Sequence, residues 1–414
     1  MSIAAPTERD EVDFAHTGPG TLAGRFFRRF WIPVARLDDV PPGRAMPVEL
    51  LNEKFTYYRG ESGTPHLVGY YCAHRSTQMS TGWVEGDCIR CFYHGWKYDH
   101  TGACVEQPAE MDGFAAKVGI EGYPTQTYLG LVYAYLGEGE PPEFWRFPMM
   151  EQPAERTVRS WVRTSNYWNG LENANDQVHV AFVHGNSEFR EGGATREIPK
   201  IEAFETDYGI LRKCTFSDGA IREQHTLMPT ASLVTVYDSV AGWMPHLSYR
   251  IPVDDESHRS FSVSLALVEG EAAEKLRAKR KAQAEALKGL PSAEEVVAAV
   301  VRGDLYLHDL DRPDIVNIQD AVALAAQPPI GSRVNDRLGK SDVQIIVLRT
   351  VWAREMRALA AGRPLKQWKV PLDLVLGPSQ NEGSNAPGQP ILSNPVAVAF
   401  NREPKLVLEV RPSS

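Results

Sequence analysis

Two short segments between Cys72 and Trp96 each offer one thiolate and one imidazole to a metal. The first segment reads Cys-x-His, and the second, sixteen residues further along, reads Cys-x2-His. Two sulfurs and two ring nitrogens suit either a tetrahedral zinc ion or a 2Fe–2S cluster in which the cysteines hold one iron and the histidines the other. The spacing alone leaves both possibilities open. The four candidate ligands are Cys72, His74, Cys91 and His94.

The residues around these ligands favour the cluster. A zinc finger places its histidines three to five residues apart on one element, whereas here each segment pairs a cysteine with a histidine. The second segment also contains Tyr93, Gly95 and Trp96. Glycine lets two loops approach closely, and aromatic side chains can shield a cluster from water. With its four ligands, the stretch resembles the Rieske motif of the ring-hydroxylating oxygenases, which implies a 2Fe–2S Rieske cluster.

A second constellation, Asp176-x2-His179-x4-His184, falls in a segment that we predict to be one helix from about Ser165 to Gly185. At about 100° per residue, His179 and His184 would lie about 140° apart on such a helix, so a straight helix cannot direct both imidazoles to one point. We therefore expect the helix to end, bend or widen there. Asp176 precedes His179 by one turn and can accept the outer N–H of its ring.

Two imidazoles bind iron weakly, and an iron that activates O2 needs one anionic ligand as well as open coordination positions. The carboxylate must come from elsewhere in the chain. The resemblance to Rieske oxygenases implies where: the Asn-Ile-Gln-Asp-x2-Ala run at 317–323 matches the family's late helix, with Asp320 as the third ligand of a mononuclear Fe(II). The same resemblance implies that Asp176 reaches a cluster-ligating histidine of the neighbouring subunit, and hence a head-to-tail homotrimer.

The pattern between these motifs predicts an α+β protein. Short alternating strands run from about residue 30 to 145, with a hairpin turn at Gly60 to Pro65. Strands separated by turns recur from Ile201 to Leu267 and predict a large antiparallel sheet. Helices are predicted within 269–289, 314–327 and 341–362. We expect an N-terminal all-β Rieske domain followed by a catalytic domain with that sheet flanked by helices, a helix-grip, START-like fold by the family resemblance.

This pattern gives three predicted segments. Residues 1–29 are predicted to form an N-terminal arm, residues 30–147 the Rieske domain and residues 148–414 the catalytic mononuclear iron domain. A length of 414 residues with 43% hydrophobic residues is sufficient for two or three domains with real cores.

Charge and hydropathy restrict the class of partner. The formal net charge of −9 argues against a nucleic-acid groove. The acidic N-terminus lacks an apolar run, and the sequence has no stretch of about 18 uncharged apolar residues, so we expect a cytoplasmic protein without a membrane partner. The sequence also lacks a Gly-x-Gly-x-x-Gly dinucleotide motif. We therefore expect electrons from NAD(P)H to arrive through a partner, a ferredoxin and/or a flavin reductase.

Two further segments, 128–142 and 331–342, are similar to the phthalate dioxygenase branch of the family, which includes aryl O-demethylases. The branch implies an aromatic carboxylic acid as substrate and O2 as co-substrate. The expected reaction is O-demethylation of a methoxylated aromatic acid, including lignin-derived ones; the alternative is cis-dihydroxylation or ring hydroxylation of an aromatic carboxylate. A buried carboxylate needs a cationic partner, and the candidates are Arg222 and Arg250.

Two hypotheses from other functional classes compete with an oxygenase. A Rieske electron carrier without catalysis would explain residues 30 to 145 but would not need His179 and His184. A zinc-stabilised binding module would use the four Cys and His ligands without redox chemistry, and it would be colourless.

Overall fold

The structure is a computed structural model, and it describes residues 12–111, 113–184, 197–330, 333–370 and 374. Within that part of the chain there are seven α-helices: α1 (Leu22–Phe27), α2 (Tyr167–Ala174), α3 (Val178–Val183), α4 (Gly270–Ala286), α5 (Ala293–Arg302), α6 (Ile315–Ala325) and α7 (Val343–Ala360). Of the helices it describes, none combines the length and the apolar character that a membrane crossing requires.

The first eleven strands form three small antiparallel sheets, with the orders β2-β3-β4-β9, β5-β6-β7-β8 and β1-β11-β10. The two metal-binding segments are loops of these sheets, because one connects β4 to β5 and the other connects β6 to β7. The hairpin predicted around Gly60 to Pro65 is present as β3 and β4. The strands are β1 (Trp31–Arg36), β2 (Arg44–Leu50), β3 (Glu53–Arg59), β4 (Pro65–Gly69), β5 (Trp83–Glu85), β6 (Cys88–Arg90), β7 (Lys97–Tyr98), β8 (Cys104–Glu106), β9 (Gly122–Tyr123), β10 (Thr125–Tyr128) and β11 (Leu131–Tyr135).

The remaining seven strands form one antiparallel sheet with the order β12-β18-β17-β16-β15-β14-β13. The predicted α+β class, with a large antiparallel sheet and helices after an all-β region, is confirmed. The sequence pattern did not predict β12, which pairs with the last strand of the sheet rather than with a neighbour in the chain. The strands are β12 (Glu155–Arg163), β13 (Lys200–Glu205), β14 (Gly209–Thr215), β15 (Ile221–Leu227), β16 (Ala231–Asp238), β17 (Gly242–Pro252) and β18 (His258–Ala266).

One face of this sheet, which we call the inner face, is polar and covered by α2. The register pairs His258 with both Arg163 and Pro252, so strand alternation puts Arg163, His258 and Arg250 on the same face. Helix α2 lies directly above them, because a side chain added at Gly170 would meet the His258 ring at 2.8 Å. The buried serines of this face are Ser232, Ser248, Ser260 and Ser262.

The predicted single helix from Ser165 to Gly185 is wrong, because the structure has two helices, α2 and α3, separated by a short turn. The buried side chain of Asn175 ends α2. Its Nδ2 donates to the carbonyl of Leu171 at 2.8 Å, and its Oδ1 accepts from Thr226 and Gln344 at 2.6 Å each. An Asn side chain with these partners competes with the helical backbone. Gly185 lies outside the described residues.

Residues 12–29 of the predicted N-terminal arm are packed against the core. Phe26 and Phe27 of α1 are fully buried and both contact the Trp352 ring of α7 edge-on. Upstream of α1, Phe14 stacks on Trp168 of α2 with ring centroids 4.3 Å apart. This part of the chain therefore supports the helices that cover the inner face.

A two-residue turn joins the small sheets to the large one. Leu51 and Asn52 connect β2 to β3 with φ angles of 54° and 57°, as a type I′ turn requires. Their backbone N–H groups donate to the carbonyls of Pro252 and Val253 at 2.9 Å each, at the end of β17. Leu51 is fully buried, and this burial offsets the left-handed conformation that a bulky residue rarely adopts.

Candidate metal centres

The two Cys/His loops have the same pattern of main-chain hydrogen bonds. In the first loop the N–H of Cys72 donates to the carbonyl of Thr77 at 2.8 Å, and in the second the N–H of Cys91 donates to the carbonyl of Trp96 at 2.9 Å. Gly95 allows the second loop to turn, because its φ of 75° lies in the left-handed region. Main-chain hydrogen bonds therefore hold both loops in the same shape.

The four predicted ligands lie together, with the sulfurs inside and the imidazoles outside. Cys72 and Cys91 are buried, whereas His74 and His94 are partly exposed and have ring centroids 4.4 Å apart. The Trp96 ring stacks on His74 at 4.6 Å. Around one zinc ion, donor atoms would lie only about 3.5 Å apart. Among the described residues, the group with three donors within 4.8 Å of one another is a different one, described below. The four Cys and His donors are more widely spaced than that, so they fit a two-iron cluster better than one zinc ion.

Tyr98, which follows the second loop, contacts the first. Its hydroxyl lies 3.2 Å from the Sγ of Cys72 and accepts the backbone N–H of Ala73 at 3.2 Å, which leaves the hydroxyl proton to be donated to the sulfur. Burial raises the pKa of Tyr98, so the hydroxyl stays protonated. Hydrogen bonds to cluster sulfurs tune a reduction potential. The sequence pattern did not single out this residue.

His179, His184 and Asp320 form the second group, and their donor atoms all lie within 4.8 Å of one another. His179 is on α3, His184 is the residue that ends α3, and Asp320 is on α6. The Nε2 atoms of His184 and His179 lie 3.0 and 3.7 Å from the Oδ1 of Asp320. The helix therefore ends at His184, which is one of the solutions expected from the spacing. Two imidazoles and one carboxylate form the donor set that favours Fe(II) with open positions.

Asp320 and His184 shift each other's pKa, and each shift favours the charged form of the group. Burial raises the pKa of Asp320, but the hydrogen bond from His184 and the charge of Arg163 outweigh it, so the pKa is lowered. Burial lowers the pKa of His184, but Asp320 outweighs it and raises that pKa. The carboxylate is therefore ionised and available to bind a cation.

The outer ring nitrogens of the two histidines differ in their contacts. The Nδ1 of His184 lies 2.9 Å from the Oε1 of Gln319, the residue before Asp320 on α6. Because the amide oxygen can only accept, it keeps a proton on Nδ1, so a metal would bind at Nε2 in place of the second proton, which Nε2 donates to Asp320. The Nδ1 of His179 lies 3.7 Å from the Oδ2 of Asp176, slightly beyond hydrogen-bonding distance. The sequence pattern predicted that Asp176 accepts the outer N–H of His179, but the two side chains face each other without a hydrogen bond. It missed Gln319.

The sequence suggested that Asp176 and His179 lie one turn apart on the same helix, but Asp176 is not on a helix. It lies in the turn between α2 and α3, where its Oδ1 accepts the backbone N–H of Val178 at 2.7 Å. Burial raises the pKa of Asp176, but His179 and the N–H of Val178 outweigh it, so the pKa is lowered. One carboxylate oxygen thus starts α3, and the other faces the ring of His179.

The two candidate substrate arginines lie in different surroundings. Arg250, on the inner face, donates to Ser248 at 2.8 Å, and burial together with the neighbouring charge of Arg163 lowers its pKa to about 10. Arg222 lies over the rings of Phe216 and Trp243, at 4.7 and 4.9 Å from their centroids. Of these two candidates, Arg250 is the one whose pKa is raised by the charge of Asp320.

Comparisons with known proteins identify the cluster domain and the family of the whole chain. The family model of the Rieske [2Fe-2S] domain matches residues 30–124. Over 366 residues the chain is 30% identical to the 5,5'-dehydrodivanillate O-demethylase oxygenase subunit of Sphingobium sp. (strain NBRC 103272 / SYK-6), which covers 85% of this chain and 81% of that protein. It is also 27% identical to the phthalate 4,5-dioxygenase oxygenase subunit of Pseudomonas putida, over 82% of this chain and 83% of that protein.

The fold is likewise shared with a solved structure. The terminal oxygenase of carbazole 1,9a-dioxygenase from Novosphingobium sp. KA1 superposes with a TM-score of 0.62 at 19% identity, covering 84% of this chain and 95% of the other. The extent of the match to the demethylase subunit identifies the family. The chain belongs to the oxygenase (alpha) subunits of the Rieske non-haem iron oxygenases, enzymes that use a 2Fe–2S cluster, a mononuclear iron and O2, and that depend on a reductase partner for electrons.

Proposed function

We propose that this protein is the oxygenase component of a system that removes O-methyl groups from methoxylated aromatic carboxylic acids, including lignin-derived ones such as dehydrodivanillate. The observation that carries the proposal is the convergence of His179, His184 and Asp320 beside the buried cations of the inner face. The similarity to a dehydrodivanillate O-demethylase subunit supports the choice of reaction.

We assign two ligand sets. Cys72 and Cys91 hold one iron of the cluster, and His74 and His94 hold the other. His179, His184 and Asp320 hold the mononuclear Fe(II), which when bound supplies the O2-activating chemistry. Electrons from NAD(P)H reach the cluster through a flavin reductase, alone or with a ferredoxin.

The roles of the surrounding residues follow from their contacts. Gln319 keeps the proton of His184 on Nδ1, so that Nε2 faces the metal. Asp176 orients the ring of His179 and, in the proposed homotrimer, links it to a cluster-ligating histidine of the neighbouring subunit.

Arg250 is the better of the two candidate carboxylate partners. The charge of Asp320 raises the pKa of both Arg163 and Arg250. Two guanidinium groups therefore interact with one carboxylate on the inner face. An anionic group on the substrate would balance the remaining positive charge. Arg222, lying over two aromatic rings, is the weaker candidate.

The reaction balances with one O2 for each methyl group. Hydroxylation of the methoxy carbon takes O2, two electrons and two protons and gives one water. The hydroxylated methyl group then leaves as formaldehyde, and the aromatic ring retains a phenol. Hydroxylation of the methyl carbon requires that the methoxy group, rather than a ring edge, lies next to the iron.

The test is product analysis with a panel of substrates. The purified oxygenase, supplied with its reductase and NADH, is incubated with methoxylated and plain aromatic carboxylic acids. Formaldehyde is expected in equal amounts to the phenol from methoxylated acids, and no diol from plain acids. Formation of a diol or ring phenol without formaldehyde would contradict the demethylase assignment.

The second candidate reaction is cis-dihydroxylation or ring hydroxylation of an aromatic carboxylate. The match to a phthalate 4,5-dioxygenase subunit over 82% of the chain favours it. The same ligands serve both reactions, so the substrate panel separates them. A Rieske carrier without catalysis would have no use for the group formed by His179, His184 and Asp320, and we do not favour it.

We propose the domain limits 30–147 and 148–414 for the cluster and mononuclear iron domains. The limit falls before β12, the first strand of the seven-stranded sheet. Residues 1–29 precede the cluster domain, and α1 within them packs on α7 of the second domain.

A further inference from the structure

The two oxygens of Asp320 face different neighbours. Oδ1 lies toward both imidazoles, 3.0 Å from the Nε2 of His184 and 3.7 Å from that of His179. Oδ2 lies toward the guanidinium of Arg163, with 3.8 Å between Oδ2 and Nη2. A carboxylate on a metal can bind through one oxygen or through both. The neighbour of Oδ2 therefore bears on which of these two modes Asp320 adopts.

Arg163 is well placed to restrain that oxygen. It is the last residue of β12, paired with His258, so the sheet fixes its backbone. Its side chain is 11% exposed, and its guanidinium lies 5.9 Å from the ring centroid of Trp161. A guanidinium stays charged even when burial lowers its pKa, as it does here, and the charge of Asp320 opposes that shift. The group facing Oδ2 is thus a fixed cation.

We propose that Arg163 is a positioning residue that holds Oδ2 of Asp320 away from the iron, so that the carboxylate binds the metal through Oδ1 alone. The inference rests on the proposed ligand set of His179, His184 and Asp320. Each oxygen kept off the iron leaves one more coordination position for O2 or substrate. Arg163 is a residue that the sequence pattern did not identify, because β12 was not predicted.

The proposal fixes the sign of a measurable effect. A cation beside the carboxylate withdraws negative charge from it and also repels the metal, so Arg163 weakens iron binding. Removing the cation frees Oδ2 to bind as a second oxygen. Both consequences strengthen the binding of a divalent metal. We expect a change of about tenfold, which has the size of the effect of supporting groups next to metal ligands but the opposite sign, because Arg163 repels the metal.

The experiment measures metal binding, not turnover. The protein is prepared with its cluster oxidised, which makes the cluster silent in electron paramagnetic resonance (EPR). Fe(II) affinity is then measured by anaerobic competition with a chelator. Co(II) is loaded into the same site, and its EPR spectrum reports the coordination number of the metal. Arg163→Met is expected to bind Fe(II) about tenfold more tightly, with a Co(II) spectrum of higher coordination number.

Three further variants separate the possible causes. Arg163→Lys keeps the cation and is expected to restore the Fe(II) affinity and the Co(II) spectrum toward those of the parent protein. Arg163→Gln keeps a donor without charge, so it is expected to bind Fe(II) more tightly with the parent spectrum. Arg250→Met removes another cation of the inner face but leaves Oδ2 restrained, so the spectrum is expected to stay unchanged. If Arg163→Met does not retain its cluster, the Lys and Gln variants test the same point.

Unchanged or weaker Fe(II) binding in Arg163→Met or Arg163→Gln would overturn the proposal. A Co(II) spectrum that changes equally in Arg250→Met would also overturn it, because the effect would then be one of general charge. Failure of the underlying ligand set is recognisable separately. In that case Asp320→Ala would bind Fe(II) as tightly as the parent protein.

Discussion

The two metal centres of this chain are built in opposite ways. The cluster ligands come from two loops within 23 residues, and main-chain hydrogen bonds give both loops similar frames. The mononuclear ligands come from α3 and α6, with Asp320 lying 136 residues after His184, and side chains orient them. The first centre depends on local backbone, and the second depends on the packing of helices over a sheet. This difference makes each centre vulnerable to a different kind of change.

The largest expected effect is the separate loss of each centre. Asp320→Ala should remove the mononuclear iron and reduce product formation to background, while the cluster keeps its visible spectrum. Cys91→Ser should remove the cluster, because a serine hydroxyl is a poor cluster ligand. Iron and acid-labile sulfide per chain provide the measurement.

Loss of cluster sulfide in Asp320→Ala would show that the two centres do not form independently. A protein with fewer than three irons per chain after anaerobic reconstitution would contradict the assignment of two centres.

Asp176→Asn is the next largest change, because it alters the connection between the centres rather than either ligand set. The amide keeps the size of the side chain but loses the charge that faces His179. Both metals should stay bound, while single-turnover product formation slows about 10- to 100-fold. An unchanged single-turnover rate would argue against a role for Asp176 in electron delivery.

Gln319→Leu tests the dependence of the second centre on side chains. Without the amide oxygen, the Nδ1 of His184 loses its partner, and either ring nitrogen can carry the proton. Fe(II) affinity should fall about tenfold or more, with the cluster unaffected. Gln327→Leu, two residues after the end of α6, is the matched control, because this glutamine is exposed and donates to the carbonyl of Ala323. Equal behaviour of the two variants would contradict the role of Gln319.

Tyr98→Phe makes the corresponding test at the first centre. The change removes the hydroxyl next to Cys72 Sγ and leaves the loop backbone in place. The cluster should assemble normally, but its reduction potential should fall by about 60 mV, the equivalent of one hydrogen bond of about 1.4 kcal/mol. Redox titration of the visible spectrum measures the shift. A potential within a few millivolts of the parent value would mean that the hydroxyl does not donate to the sulfur.

The smallest expected effect concerns the ion pairs that hold α7 and the residues after it against β13 of the large sheet. Arg354 of α7 and Lys366 both contact Glu205 of β13 at 2.7 Å. Burial raises the pKa of Glu205, but these two cations outweigh it, so the pKa in the folded protein is lowered. The stabilisation is therefore complete above the unfolded-state pKa of about 4.3 and is lost as the pH falls through the folded-state value.

Glu205→Gln should accordingly reduce the free energy of unfolding by about 1 kcal/mol at pH 7. The parent protein and the variant should converge in acid. Denaturant unfolding at several pH values provides the measurement, and a difference that persists at the lowest pH would contradict the electrostatic explanation.

The same contrast decides what could be predicted from sequence. Cys72, His74, Cys91 and His94 are close in the chain, so their spacing alone indicated a metal centre. For the second centre, spacing indicated only that a helix had to end near His184. Asp320 required a family resemblance, because nothing local distinguishes it from other acidic residues on a helix.

The residues that were missed have a common cause. Arg163 lies on β12, whose partner strand β18 follows it by about 100 residues, so no local pattern indicates the pairing. The single helix predicted over Ser165 to Gly185 fails because Asn175 bonds to Thr226 and Gln344, both distant in sequence. In each case a long-range contact overrides the local preference.

The turn formed by Leu51 and Asn52 bears on how such enzymes can be recombined. The turn makes two main-chain hydrogen bonds, to Pro252 and Val253, and the Asn52 amide donates to Asp255 at 2.7 Å. These bonds attach the iron–sulfur half to the tip of the β17–β18 hairpin in the second domain. A chimera that borrows the iron–sulfur half of a relative would therefore keep its alignment only if this turn and the β17–β18 hairpin tip were transplanted as a matched pair.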